Sequence, residues 1–236
     1  MIELYAVKII EPIAPILFQK LLQYVSPERR KKICGFYRWS DAQRSAVAEL
    51  LLRSVLMYKA GLSNDEIVFG YSAQGKPFLG NHKNIHFNVS HAGDWVLCGV
   101  ADSPIGVDVE EIEQIDLNDV HDVLSAEERK YLSLLSGTLQ IERFYRIWTL
   151  KESYAKALGN GIPKSLDSLS INIRDMQNIN ITENGTIKER VYFRSDELDD
   201  LHTMAVCSFN ERSIRPIREI ALDEIINSFI TEPAYA

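Results

Sequence analysis

Two long helical stretches restrict the architectures open to this chain. "SDAQRSAVAELLLRSVLMYKAG", residues 40–61, opens with Ser40 as cap and Gln43 three residues on. It runs apolar at Val47, Leu50, Leu51, Val55 and Leu56 and is stopped by Gly61. "IERFYRIWTLKESYAKALGNG", residues 141–161, has the same character and ends at Gly159 and Gly161. Each is followed by a strand ("EIVFGY", "SLSINI") and later by a closing strand ("WVLCGVA", "MAVCSFN"), in the same order. This recurrence predicts a pseudo-twofold molecule, with a site in the cleft between its two units. With 236 residues, each unit is long enough to bury a core.

Smaller signals fill in the frame. "SPERRKKICGF" starts a helix, with Ser26 as cap, Pro27 at its first position and Glu28 in the first turn. "HFNV" and "WVLCGVA" read as strands joined around "SHAGD", whose Gly and Asp suit a turn, and Ser125 with Glu128 forms a capping box. The tail from about residue 212 is expected to be a short helix on the outside with a frayed end.

Charge and cysteine usage remove several classes. A formal charge of −7 argues against a dedicated nucleic-acid binder, whose affinity comes mostly from phosphate contacts. Cys34, Cys98 and Cys207 are too few and too widely spaced for a disulfide framework or zinc knuckle, and read as reduced, mostly buried thiols. The first residues carry Glu3, Lys8 and Glu11 and lack a basic leader or a small-residue cleavage site, so a cytoplasmic protein is expected. Glu49, Arg53 and Lys59 interrupt the longest apolar candidate for a membrane span.

"GVDVE", residues 106–110, sets two acids in a strand. Asp108 and Glu110 share one face, Val107 and Val109 the other. At roughly 6 Å and an effective dielectric of 20, the two carboxylates repel by about 3 kcal/mol. A basic side chain would offset that, but none lies close in sequence; a divalent cation would settle both charges, and an exposed strand end feeding the acidic loop "EEIEQIDLND" would avoid the problem. In "WTLKESYAK", Trp148, Glu152 and Lys156 recur every fourth residue and so line one helical face. They form either a surface ion pair beside a half-buried tryptophan, or a third oxygen ligand or base with a cation for phosphate.

Basic residues offer the complement. Arg29 and Lys32 share a side of their helix, and Arg44 lies in the first turn of the next, where N–H groups favour anions; the alternative is a solvated helix face. Lys76, between Gly75 and Pro77, is a cation on a rigid turn. His91, after Ser90 at a turn, binds phosphate if protonated, and otherwise is an ordinary hydrogen-bonded turn residue; the two make no catalytic triad.

Taken in order, "GKP", "FNVSHAGDW", "GVDVE" and "WTLKESYAK" resemble one family, the 4′-phosphopantetheinyl transferases of the surfactin-synthetase-activating type. The resemblance runs from "SPERRKK" to about "MAVCSF". It implies a pseudo-dimer of two α/β halves, in agreement with the repeat, with coenzyme A and Mg2+ in the cleft. The expected fold class is therefore α+β, each half a long helix packed on a small, mostly antiparallel sheet. Residues 1–103 would contact the nucleotide and 3′-phosphate, and residues 104–236 would hold the metal and the catalytic helix.

Asp108, Glu110 and Glu152 match the family's metal-binding acids, with Asp108 also facing the cofactor. Arg29, Lys32, Arg44, Ser90 and His91 match positions around the 3′-phosphate, and Lys76 with Pro77 those around the nucleotide. Arg29 stands where lysine is often found, which keeps the charge but changes the geometry. The implied reaction moves the phosphopantetheine arm to a serine of an apo carrier protein and releases adenosine 3′,5′-bisphosphate. In that reaction Glu152, directly or through a metal-bound water, would take the serine proton, and Lys156 would steady the α-phosphate and leaving oxygen. Trp148 resembles the family's tryptophan in type and place, and packing suffices to explain it. The segment from about Leu117 to Leu135 is the carrier-facing surface the resemblance implies. A monomer without membrane or nucleic-acid partners is expected. A Mg2+-dependent nucleotide hydrolase and a non-catalytic binding module are the rival readings.

Overall fold

The computed structural model describes residues 1–159, 166–173, 178–209 and 214–230; Gly161 and the last residues of the tail lie outside these. In chain order the elements are β1 (Glu3–Lys8), α1 (Pro15–Leu21), α2 (Pro27–Ile33), α3 (Trp39–Ala60), β2 (Phe69–Tyr71), β3 (Pro77–Leu79), β4 (His86–Ala92) and β5 (Trp95–Ala101). There follow β6 (Ile105–Glu111), α4 (Ala126–Leu132), α5 (Gly137–Leu158), β7 (Leu169–Asn172), β8 (Asn180–Glu183), β9 (Thr186–Ile187), β10 (Tyr192–Asp199), β11 (His202–Ser208), β12 (Arg218–Glu219) and α6 (Leu222–Ile230). The fold is mixed α and β. Among the described residues no helix is long and apolar enough to cross a membrane.

Two sheets carry the architecture, one ordered β12-β1-β5-β4 and the other β10-β11-β6. Their strands alternate, and the alternation decides what each face meets. On β1 and β5, Tyr5, Val7, Val96, Cys98 and Val100 join the core under α3, while Leu4, Ala6, Trp95, Leu97 and Ala101 turn the other way. They meet Ile105, Val107, Val109, Met204 and Val206 of β6 and β11 in a middle layer. The opposite face of β6 and β11 packs under α5. The order is thus helix, sheet, sheet, helix, and β6 presents its valines inward and its acids toward α5.

Gly106 makes that packing close. A Cβ built there would lie 1.9 Å from the Ser153 carbonyl oxygen and 2.5 Å from the Ala157 nitrogen, so only glycine lets α5 rest on β6 at this distance. Both long helices end as their glycines predict, Gly61 and Gly159 being left-handed at φ 65 and φ 71. α4 opens with the expected capping box, Ser125 Oγ accepting the Glu128 N–H and Glu128 accepting the Ser125 N–H. Glu128 also accepts from the ammonium of Lys151 (2.6 Å), which is fully buried and donates further to the carbonyls of Val123 and Leu166. This ion pair ties α4 to α5.

Some local expectations are corrected. Ser40 does not cap α3: the helix starts at Trp39, and Gln43 turns inward, its Oε1 accepting the Ile13 N–H at 2.5 Å. Cys34 is exposed, whereas Cys98 and Cys207 are buried. Strand β4 runs through Ser90 and His91 to Ala92, paired throughout with β5, so the turn is confined to Gly93 and Asp94. The tail does not simply lie outside. β12 pairs in parallel with β1, and Ile220, Ile225, Ile226 and Phe229 are buried in the core beneath α3.

Candidate active site

The face of β6 that looks at α5 carries the chemistry. Asp108 is buried, and Lys156 Nζ donates to its Oδ1 at 2.5 Å. The same ammonium reaches Ser90 Oγ (3.0 Å), which donates to Asp108 Oδ1 at 2.9 Å. Strand β4, strand β6 and helix α5 therefore converge on one carboxylate. Asn88, on β4 beside them, accepts the Val107 N–H at 2.8 Å and fixes β6 against β4. Sequence reasoning passed over it, although "FNVSH" places it one strand repeat before Ser90.

Glu152 lies on α5 one turn before Lys156 and is likewise buried. Glu152 Oε1 and Asp108 Oδ2 are both buried, with no hydrogen-bond partner among the described residues. Burial first, and then the charge of Asp108, raises the Glu152 carboxyl above its ordinary value. Burial raises Asp108 as well, opposed by Lys156. Glu110 is pushed up to about 7 by burial and by Asp108. Trp148 does more than pack, since its Nε1 donates to Glu110 Oε1 at 2.9 Å and holds that acid in place.

Glu110 makes the site's charge strain measurable. Its carboxyl sits at about 7 against an ordinary 4.5, so between those values the folded protein binds more protons than the unfolded chain, and stability falls as pH rises. His91, lowered from 6.5 to about 4, acts in the opposite sense over its own window. The expected result is a difference: in thermal melts, Glu110→Gln gains stability relative to the parent as pH rises through the Glu110 window. Parallel curves would remove the strain.

Next to Ser90 on β4, His91 comes together with Arg29 and Arg44. Arg29 bridges to α3 through Glu49 Oε2 (3.2 Å) and Ser45 Oγ (3.3 Å), and Arg44 bonds Asp41 and the Gly93 carbonyl (2.7 Å). Burial first, then Arg44 and Arg29, holds His91 down at about 4, which favours the neutral imidazole at neutral pH. Lys32 is exposed on α2 and is not bonded to this group. The residue that orders Arg29 was missed by the sequence reading. Glu49 is buried within α3 and accepts from Ser26, Arg29 and Arg53.

Beside Glu152 and Lys156 lies a cavity of about 300 Å³, lined also by Lys76, Pro77, Asn88 and Gly159 among others. Pro77 forms wall, as its turn suggests. Lys76 does not present a free cation: its ammonium donates to the carbonyls of Ile105, Lys156 and Ala157.

The donor chemistry of the acids suits a hard divalent cation. Asp108 raises both Glu110 and Glu152, Glu152 adds to the effect on Glu110, and two buried oxygens have no partner among the described residues. They are not a preformed cage, however. Among the described residues no group of three or more His, Cys, Asp or Glu is gathered to hold a metal ion, and Lys156 occupies Asp108.

Buried acids beside Lys156, with two arginines and His91 grouped nearby, are a set of charges suited to an anionic ligand. A family model described as "4'-phosphopantetheinyl transferase superfamily" matches residues 104–207, and one described as "4'-phosphopantetheinyl transferase, N-terminal" matches residues 12–103. The chain is 32% identical over 231 residues, 98% of its length and 96% of the relative's, to 4'-phosphopantetheinyl transferase gsp of Aneurinibacillus migulanus. It is 30% identical over 224 residues, 95% of its length and 100% of the relative's, to 4'-phosphopantetheinyl transferase Sfp of Bacillus subtilis (strain 168). It is 28% identical over 207 residues, 77% of its length and 67% of the relative's, to the L-aminoadipate-semialdehyde dehydrogenase-phosphopantetheinyl transferase of Xenopus laevis. The chain belongs to the 4′-phosphopantetheinyl transferase superfamily and is an enzyme of that class.

Proposed function

We propose that this enzyme moves the 4′-phosphopantetheine arm of coenzyme A to a serine hydroxyl of an apo carrier protein, releasing adenosine 3′,5′-bisphosphate. The serine oxygen bonds to the β-phosphorus as the bond from that phosphorus to the bridging oxygen breaks. Glu152, whose raised carboxyl suits a base, accepts the serine proton. Lys156 donates to the α-phosphate and leaving oxygen. Arg29, Arg44 and Ser90, with a neutral His91 as donor, bind the 3′-phosphate, and Lys32 adds charge from the rim. Asp108, Glu110 and Glu152 would hold Mg2+, which would supply positive charge at the pyrophosphate. The observation that carries this reading is the pair of buried oxygens on Asp108 and Glu152 that have no partner among the described residues, beside Lys156, which donates to Asp108.

Two related halves, divided between residues 103 and 104 where the two family matches meet, belong to the same reading, with segment 214–230 strapped back onto the first half. So does a cytoplasmic monomer, since one chain supplies the whole cleft. The carrier docks on the segment from about Leu117 to Leu135, where Leu134 is 75% exposed and Lys151 joins α4 to the catalytic helix.

The test is mass spectrometry of an apo peptidyl carrier domain after incubation with the enzyme, coenzyme A and Mg2+. The domain is expected to gain the prosthetic arm on its serine. Equal breakdown of coenzyme A without the domain, and no gain with it, would instead establish a nucleotide hydrolase. Arg44→Ala is expected to weaken coenzyme A binding about tenfold and to leave dephospho-coenzyme A binding nearly unchanged, because it removes one charged hydrogen bond to the 3′-phosphate. Calorimetry with both ligands checks it; equal losses would place Arg44 elsewhere.

A further inference from the structure

We propose that Lys76 is a positioning residue for the transfer, acting through the end of α5 and not as a ligand of the substrate's phosphates; this rests on the function proposed above. An ammonium has three N–H donors, and here they have three acceptors within the protein: the carbonyls of Ile105 (3.1 Å), Ala157 (3.4 Å) and Lys156. The last carbonyls of a helix lack partners of their own, and a cation is favoured beside them. In α5 the Gly159 N–H turns back to Ala155 (3.1 Å), and among the described residues the Lys156 and Ala157 oxygens accept from Lys76. Its third acceptor, Ile105, opens the strand that carries Asp108.

One side chain from the β2–β3 hairpin thus grips both elements that bring Asp108 and Lys156 together. The hairpin is braced for this. Ser72 Oγ accepts the Lys76 N–H (3.1 Å), the Ser72 N–H donates to the Lys76 carbonyl (2.9 Å), and Gly75 takes φ +82 between them. Gly159 lies against the lysine stem, where a Cβ would come within 3.2 Å of Cδ. Fixing the Lys156 carbonyl fixes the root of the side chain that donates to Asp108. Burial, which lowers the Lys76 ammonium to about 8, accords with a cation enclosed by backbone.

The test separates positioning from ligand binding. Lys76→Met is expected to lower kcat about 100-fold, as a small misplacement of reacting groups does, while the calorimetric Kd for coenzyme A stays within about threefold. Deuterium exchange at amides 155–159 should accelerate in the same variant. Lys76→Cys treated with 2-bromoethylamine, which rebuilds an ammonium of nearly the same reach, should recover kcat; identically treated parent enzyme controls for Cys34, which is exposed. A Kd weakened about tenfold or more with kcat retained would make Lys76 a phosphate ligand and overturn the proposal. Unchanged kcat and unchanged exchange would overturn it too. Should Lys76→Met not fold, Lys76→Gln is read by the same criteria. If the parent enzyme fails to load the apo peptidyl carrier domain, the proposed function falls, while the exchange at the end of α5 still decides whether Lys76 holds that helix.

Discussion

Asp108→Asn is expected to lower transfer at least about 1,000-fold, equivalent to ~4 kcal/mol of lost transition-state stabilisation, with the protein still folded. Asparagine keeps the shape of aspartate and removes the charge. Lys156 then loses the partner that aims its ammonium, and the proposed cation loses a ligand. The effect on stability is much smaller, because two changes oppose one another. The Lys156 side chain is 29% exposed and regains water when its partner is neutralised, while the cost of burying the Asp108 carboxylate disappears. Glu110 should follow: without the neighbouring charge its carboxyl moves down from about 7 toward 4.5, observable by carbon NMR of labelled glutamate. Single-turnover assays with an apo peptidyl carrier domain measure the main effect. Turnover close to that of the parent would take Asp108 out of the chemistry.

Gly106→Ala is expected to be the most destabilising single-methyl change in the site. The added carbon would overlap the Ser153 carbonyl at 1.9 Å and the Ala157 nitrogen at 2.5 Å, both backbone atoms of a helix whose other side is packed in a core. No rotamer relieves this; α5 must lift from β6. Such overpacking belongs with the largest point-mutant effects, above about 4 kcal/mol, or roughly a 10 °C fall in Tm for a chain of this size. Any soluble protein should also be inactive, since lifting α5 carries Glu152 and Lys156 away from Asp108. Gly185→Ala is the control. Its φ of +76 is strained for alanine but nothing lies within 4 Å, so about 1–2 kcal/mol is expected. Equal Tm values for the two variants would remove close packing as the reason for glycine at 106.

What was legible in the sequence is what depends on local repetition. The period of two in "GVDVE" separates valines from acids correctly, and the spacing of four in "WTLKESYAK" puts Trp148, Glu152 and Lys156 on one side of α5. Glycine stops and the capping box at Ser125 were readable for the same reason. Features that depend on distant partners were not. Glu49 and Arg53 looked like charges interrupting an apolar run, yet they are a buried pair, because Ser26, Arg29 and Asn64 come from elsewhere to complete their hydrogen bonds. Lys76 looked free on its turn, because its acceptors lie at least 29 residues away. His91 was placed in a turn because "SHAGD" contains turn formers, but Gly93 and Asp94 suffice and strand pairing claims the rest.

The return of segment 214–230 to the first sheet has a consequence for biosynthesis. β1 gains its outer neighbour, and the core beneath α3 receives Phe229, only after the intervening strands and helices have been made. On the ribosome, the amino-terminal layer must therefore wait, partly uncovered, until residues 214–230 have emerged. A nascent-chain arrest series should show protease resistance of that layer arriving late, in step with segment 214–230, and not when α3 and β5 first leave the exit tunnel.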